Sequence, residues 1–359
     1  MANKYFLLLI AFVIHSFATA LPVIINGNSA AGNAFVFRLY IEKDAFSGLK
    51  KLADQQRPDK DGYFSLGFEA QEIQEVTIEV GMQSLKFLVI PGKTYQLNFN
   101  EISIESQNVF LPQQPLRVIF KEEDMLNVVL DGFEYDYQKF LEEKFILLIK
   151  YRDKKLYRDF AQQTHQKLQD SPLSDSLSYN YVEKYIDYRL AELRLVAKLK
   201  SSQELGLQYL SNKPILFHNS AYISFFKKYF TNYFHEANDG KDFYKFKNLI
   251  NSGLPVFKLM DELGEDPVLV NEKLRELVLL YSLKQIFYNP DFDKKTLNEL
   301  FTYFGEHSKF KSNREIALNS KISLNRFISG KRVPDFKLSD MQNQYKSLAS
   351  YKGKKVYLM

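Results

Sequence analysis

The sequence predicts an α+β multidomain protein with an N-terminal antiparallel β-sandwich, a central α-helical domain and a short C-terminal piece. Short alternating segments separated by turn residues fill positions 21–120. Apolar residues at helical spacing dominate positions 121–329, and the remaining positions 330–359 return to strand and turn residues. Since 45% of the residues are hydrophobic and 15% are aromatic, both larger domains can build a core.

The first twenty residues have the three-part pattern of a secretory signal peptide. Lys4 supplies the positive start, an apolar run fills positions 5–18, and Ala18 and Ala20 form a small-x-small cleavage site. A retained membrane anchor is the alternative, but the run is shorter than the ~20 apolar residues of a membrane-spanning helix. We therefore expect cleavage after Ala20. The mature protein is expected to be exported and periplasmic, with no membrane span.

Positions 21–120 read as a set of short strands joined by turns. Phe35, Phe37 and Leu39 alternate with other residues, as a half-buried strand requires. Turn signals occur at positions 59–62 and 91–93, each containing a glycine. The expected strands cover residues 23–25, 34–42, 63–68, 76–80, 85–90, 94–99 and 116–120.

Positions 121–329 read as helices separated by breaks rich in Asn, Asp, Pro and Gly. Val182, Ile186 and Leu190 are each four residues apart and so share one helix face. Asp124 is expected to cap the first helix, and Pro267 is expected in the first turn of a later one. The first expected helix begins near residue 126. The others cover residues 177–199, 222–234, 267–287, 297–304 and 313–328.

The C-terminal piece carries the most specific motif. Positions 334–340 read Pro-Asp-Phe-Lys-Leu-Ser-Asp, and a Gly-Lys pair at 353–354 precedes an apolar start at 356–359. This resembles the opening of the redoxin group of thioredoxin-like proteins, which includes exported thiol–disulfide oxidoreductases and peroxiredoxins. The resemblance implies that 330–359 is the stub of a thioredoxin-like α/β domain; an ordinary hairpin is the alternative. The signature positions are Pro334, Asp335, Phe336, Leu338, Asp340, Gly353 and Lys354.

The resemblance also implies where the chemistry of that family would lie. In the family, the next strand leads to Trp-Cys-x-x-Cys at a helix N-terminus, where a stabilised thiolate attacks a disulfide. This chain contains no cysteine. Disulfides, thiolate metal sites and a thiol nucleophile are therefore excluded within it. The sequence assigns no catalytic residue, no metal and no cofactor, and we expect no oxidoreductase activity from this polypeptide.

Two turns in the N-terminal domain carry a second resemblance. Asp61 and Gly62 with Phe64, followed by Pro91, Gly92 and Tyr95, are similar to the Asp-Gly-x-Phe and Pro-Gly-x-x-Tyr motifs of accessory domains in exported redoxins. The alternative is two generic hairpin turns. The order of the domains, with the accessory regions before the redoxin-like piece, favours the family interpretation.

The remaining signals point to structure more than to chemistry. Asp59 opens a fragment of a calcium loop whose later ligands are absent, and Phe87 stands where a phosphate loop needs its first glycine. The histidines have no metal-ligand spacing. The aromatic run at 222–234 could form a partner groove, but a buried helix is the more common outcome. The net charge of +5 is scattered, which argues against nucleic-acid binding.

Three functional hypotheses follow. The leading one is the non-catalytic front part of an exported thiol–disulfide oxidoreductase, with a client protein or redox partner as its expected partner. The second is an exported, non-enzymatic binding or scaffold module with a redoxin-like hairpin. The third is a truncated peroxiredoxin-type peroxidase, which the accessory domains disfavour.

Overall fold

A computed structural model shows a mixed α and β fold. It describes residues 20–29, 34–81, 83–99, 119–120, 124–234, 243–253, 255–326, 337–339 and 344–356, without the side chains of 119 and 337–339. The chain divides into two compact units. Unit 1 comprises Met1–Ala45 and Lys50–Tyr229, and unit 2 comprises Phe46–Leu49 and Phe230–Met359. The domain boundaries expected from the sequence remain predictions.

Unit 1 begins with two four-stranded sheets, ordered β4-β1-β7-β8 and β3-β2-β5-β6. Six of the strands lie where alternating apolar residues predicted them, and the C-terminal end of another expected strand is the short β8. The exception is β3, whose side chains are mostly polar and largely exposed. The strands are β1 Leu21–Ser29, β2 Phe37–Glu42, β3 Lys50–Gln56, β4 Tyr63–Ala70, β5 Gln74–Val80, β6 Gln83–Val89, β7 Thr94–Phe99 and β8 Ile119–Phe120.

The expected all-antiparallel pairing is wrong at one place. Strands β1 and β7 pair in parallel, with Ile25 opposite Tyr95. The chain passes through β2, β3, β5 and β6 of the other sheet before it returns as β7. A long connection of this kind permits a parallel pair, whereas a tight hairpin imposes the antiparallel direction.

Buried residues from both four-stranded sheets belong to one hydrophobic cluster. At its centre the rings of Phe37 from β2 and Phe64 from β4 stack with centroids 4.0 Å apart, and Phe99 from β7 packs against both. Gly27 on β1 leaves the space that the Phe64 ring occupies, since a Cβ there would lie 2.1 Å from that ring. Close packing of aromatic side chains therefore requires a residue without a Cβ at position 27.

Five helices complete the described part of unit 1. Buried apolar residues of α1, α2 and α3 form a second hydrophobic cluster. The predicted helices near 126 and at 177–199 correspond to α1 and α3, and Asp175 caps α3 by accepting a hydrogen bond from the Ser178 amide at 2.7 Å. The helices are α1 Met125–Tyr151, α2 Lys154–Gln169, α3 Ser176–Val196, α4 Ser202–Tyr209 and α5 Ser220–Tyr229.

Unit 2 contains the other five helices of the described chain and a two-stranded hairpin. The single helix expected at 267–287 is instead two elements. Pro267 begins a 3-10 turn capped by Asp266, and a new helix follows the cap Asn271. The elements are α6 Phe243–Asn251, α7 Val256–Gly264, α8 Glu272–Ile286, α9 Lys294–His307, α10 Lys311–Leu324, β9 Lys337–Ser339, β10 Tyr345–Ser347 and the 3-10 turn Leu348–Tyr351.

A buried carboxylate joins three elements of unit 2. Glu276 on α8 is 6% exposed. Its Oε2 atom accepts hydrogen bonds from the Ser308 hydroxyl at 2.5 Å and from the Asn313 amide at 3.1 Å. Ser308 Oγ in turn accepts from the Phe310 amide at the start of α10. The carboxylate therefore fixes the α9–α10 connection against α8.

Candidate functional site

The C-terminal motif residues fall partly within the described chain. Leu338 lies on β9 opposite Lys346 of β10 in an antiparallel pair. Gly353 has φ +85°, a left-handed conformation that favours glycine, and the Lys354 amide donates to Tyr351 O at 2.9 Å. Ala20 directly precedes β1. The other motif and cleavage residues lie outside the described residues: Ala18, Pro334, Asp335, Phe336 and Asp340.

The first accessory motif is a hairpin turn. Asp59 Oδ1 accepts hydrogen bonds from the amides of Asp61 at 2.9 Å and Tyr63 at 2.8 Å. Gly62 has φ +85°, and a Cβ there would lie 2.4 Å from the Ser29 carbonyl oxygen. The expected turn is therefore confirmed. Among the described residues, no group of three His, Cys, Asp or Glu side chains could hold a metal ion.

The second accessory motif is a hydrogen-bonded turn that contacts α1. The Ile90 amide donates to the Tyr95 hydroxyl at 2.8 Å, and the Lys93 amide donates to Ile90 O at 3.2 Å. Lys93 Nζ lies 5.1 Å from the centre of the Tyr95 ring and 3.2 Å from Asp124 Oδ1. Asp124 makes no side-chain cap bond to α1, contrary to the expectation, because its carboxylate binds Lys93 and Asn127 instead.

One amide side chain completes this junction. Asn127 on α1 accepts from the Leu88 amide at 2.9 Å and donates to Leu88 O at 2.8 Å. It also donates to Asp124 Oδ2 at 2.6 Å. Because β6 is an edge strand, the Asn127 amide takes the place of a neighbouring strand at Leu88. The Pro-Gly-x-x-Tyr motif thus belongs to a structural joint between sheet and helix.

The aromatic run at 222–234 forms core. All of its aromatic residues except Tyr229 are buried, and burial raises the pKa of the Tyr222 hydroxyl above its usual range. These residues are therefore better described as buried core than as a partner groove, although the helix expected at 222–234 ends at Tyr229.

A cleft of about 420 Å³ opens between α2, α3 and α4 of unit 1. Its walls combine aromatic and aliphatic side chains with several basic ones. The lining residues are Lys154, Tyr157, Arg158, Ala161, Gln162, His165, Asp187, Leu190, Arg194, Leu199, Lys200 and Tyr209.

Local helix chemistry positions these residues. The α2 residues lie at positions i, i+3, i+4, i+7, i+8 and i+11, which puts them on one face of that helix. Asp153 begins α2 by accepting from the amides of Lys155 and Leu156. Ser201 and Glu204 begin α4 with a reciprocal capping box. With Asp175 at the start of α3, capping residues thus define the starts of all three helices that line the cleft.

The floor of the cleft is aromatic and holds an arginine. The Arg194 guanidinium carbon lies 4.7 Å from the centre of the Tyr157 ring, and Nη1 donates to the Tyr209 hydroxyl at 3.3 Å. The Tyr157 hydroxyl donates to Leu190 O at 3.4 Å. Burial raises the pKa of both tyrosine hydroxyls, so both stay protonated at neutral pH.

The rim of the cleft is predominantly basic. Lys154, Arg158 and Lys200 are exposed there, while Asp187 is the carboxylate of the lining and lies 3.8 Å from the His165 ring nitrogen. Glu204 stands near the rim. Hydrogen bonds from Ser201 lower the pKa of its carboxyl, and the nearby lysines lower it further. Cations above an apolar floor suit a ligand with both anionic and aromatic or aliphatic groups.

Comparison with known proteins adds no identification. The chain matches no protein-family model, and no curated protein sequence matches it.

Proposed function

We propose that this chain is the non-catalytic front part of an exported thiol–disulfide oxidoreductase. In this proposal, the paired sheets are the accessory β-sandwich, and the segment from β9 onward is the start of the thioredoxin-like domain. The sheets and helices hold the redox domain, and the cleft between α2, α3 and α4 receives the client.

The observation that carries the proposal is the C-terminal segment. The strand pairing of Leu338 and the left-handed Gly353 support the strand and the turn that the resemblance implies there. Tyr345 on β10 is 77% exposed, and no described residue from 344 to 356 is buried. A hairpin with so little buried surface is marginal by itself, which supports a requirement for further strands.

The test of this proposal is the native coding sequence beyond the codon for Met359. We expect Cys-x-x-Cys within about 15 codons, at the opening of a helical pattern. A single cysteine after a proline-rich loop would instead indicate the peroxiredoxin alternative. A stop codon directly after Met359, with no frameshift nearby, would overturn the oxidoreductase proposal.

The cleft favours a second candidate, an exported binding module without catalysis. This candidate needs no thiol, and its ligand would be an acidic segment with aromatic side chains. The same ligand chemistry serves client recognition in the first proposal, so binding alone does not separate the two candidates. The coding sequence separates them.

The cleft itself can be tested with a fluorescein-labelled peptide rich in Glu and Phe. An exposed ion pair contributes about 0.2–1 kcal/mol, so Arg158→Gln combined with Lys200→Gln should weaken binding about two- to thirtyfold. Fluorescence anisotropy measures the affinity, and added salt should weaken it further. Lys139→Gln, an exposed lysine of α1 outside the cleft lining, is the matched control. Equal affinity of the double variant and this control would contradict the proposed cleft function.

A further inference from the structure

The end of α1 and the start of α2 form a surface that is both apolar and basic. Residues 146–155, which we call the tip, contain the last turns of α1, the connection and the first residues of α2. Ile146 is 77% exposed and Tyr151 is 64% exposed, and Leu147 and Ile149 are also exposed. Leu148 is buried and anchors this turn in the core.

These apolar side chains lie among cations. Lys150 and Arg152 follow them directly, and Lys154 and Lys155 begin α2. The carboxylate of the tip, Asp153, accepts hydrogen bonds from the first amides of α2. The acidic residues of the preceding turn of α1, Glu142 and Glu143, lie farther from the helix end. The tip therefore presents exposed apolar groups within a net positive field.

The connection between α1 and α2 contains a basic residue with a left-handed backbone. Arg152 has φ 49° and ψ 44°, the left-handed conformation that ends helices and that glycine adopts without steric cost. An arginine occupies the position despite that cost. Its guanidinium adds a cation at the end of α1.

We propose that the tip docks on an anionic lipid surface. Apolar side chains enter the boundary between headgroups and acyl chains, a tyrosine ring suits the interface, and Lys and Arg bind anionic headgroups. A second copy of this chain fits the tip less well, because a symmetric contact would bring two sets of like charges together. This role is independent of the proposed oxidoreductase function and of the cleft, although Lys154 borders both surfaces.

The expected contributions are measurable as partition coefficients. Each basic residue near an anionic surface contributes about fivefold, so Lys150→Gln with Lys155→Gln should weaken vesicle binding about 25-fold. Burial of an aliphatic or aromatic side chain contributes about tenfold or more, so Ile146→Ser should weaken it by at least that factor. Lys139→Gln and Tyr135→Ser change exposed residues elsewhere on α1 and should leave binding unchanged.

Cosedimentation with vesicles of phosphatidylethanolamine and phosphatidylglycerol measures these effects, with pure phosphatidylcholine vesicles for comparison. All variants are compared in the full chain, so any contribution from the apolar N-terminal run is common to them. Far-ultraviolet circular dichroism checks that each variant is folded. Equal binding to both vesicle types, or equal binding of the tip variants and the controls, would overturn the proposal.

A fluorescent probe locates the contact. The chain contains no tryptophan, so Tyr151→Trp introduces a single one at the tip. Tyr135→Trp is the matched control, since Tyr135 is 70% exposed and lies about 24 Å from Tyr151 along α1 at 1.5 Å per residue. We expect anionic vesicles to shift the emission of Trp at position 151 to the blue and to leave position 135 unchanged.

Four results of the fluorescence experiment would refute lipid docking. An unchanged spectrum at position 151, or an equal shift at both positions, means that the tip does not enter the lipid. A shift at position 151 that depends on protein concentration without vesicles would identify a second copy as the occupant. Soluble polyglutamate serves as the acidic protein probe. A shift that polyglutamate produces, but the vesicles do not, would identify a protein partner.

Discussion

Removing the Asn127 amide should destabilise unit 1 by about 2–3 kcal/mol. Asn127→Ala deletes the two bonds to the backbone of Leu88 and the bond to Asp124. Neutral hydrogen bonds contribute about 1 kcal/mol each and a bond to a charged group about 1.5–3 kcal/mol. Partial access of water to Leu88 and a gain of about 0.6 kcal/mol in helix propensity offset part of the loss.

Urea unfolding followed by circular dichroism measures this free-energy change. In a thermal melt, about 2–3 kcal/mol corresponds to a lowering of Tm by about 4–12 °C for a unit of this size. Gln138→Ala removes an exposed amide from the same helix and should change stability by less than about 0.5 kcal/mol. If both variants unfold alike, the Asn127 amide does not stabilise the joint between sheet and helix.

Three further predictions concern stability. Glu276→Ala should destabilise unit 2 by about 2–3 kcal/mol, because Ser308 and Asn313 lose their acceptor; chemical denaturation checks this. Gly62→Ala should destabilise unit 1 by about 2–3 kcal/mol through its left-handed backbone and the contact with the Ser29 carbonyl. Gly132→Ala on α1 has open space and is the stabilising control. Burial raises the pKa of the Tyr137 hydroxyl to about 12. The stability that this buried hydroxyl contributes is therefore present below about pH 10 and lost between about pH 10 and 12. Between these pH values, the midpoint of urea unfolding should fall less for Tyr137→Phe than for the unchanged chain.

The sequence predicts most strands of unit 1 but not β3. Its residues Lys-Lys-Leu-Ala-Asp-Gln-Gln lack the alternation of a half-buried strand because β3 lies at a sheet edge with its side chains largely exposed. The parallel pair of β1 and β7 was missed for another reason. Strand direction depends on the path of a long connection, and no local pattern records that path.

Helix α2 was not among the expected helices, although its sequence carries a helical signal. Its buried residues Tyr157, Phe160, Thr164 and Leu168 recur every three or four positions. The cleft is harder to foresee, since its lining combines Lys154 and Arg158 on α2 with Arg194 and Lys200 far along the chain. The sequence shows basic residues on one face of α2. Whether this face lies next to α3 depends on tertiary packing.

The position of β1 has a consequence for the rate at which unit 1 forms. Sheet β3-β2-β5-β6 contains the hairpins β2–β3 and β5–β6, which can form from neighbouring residues. Strand β1, in contrast, pairs with β4 and β7, and Ile25 meets a residue about 70 positions later. Because closing such a long loop is entropically costly, we expect β1 to be among the last strands of unit 1 to pair. This delay would keep β1 unpaired while the later hairpins are already able to form.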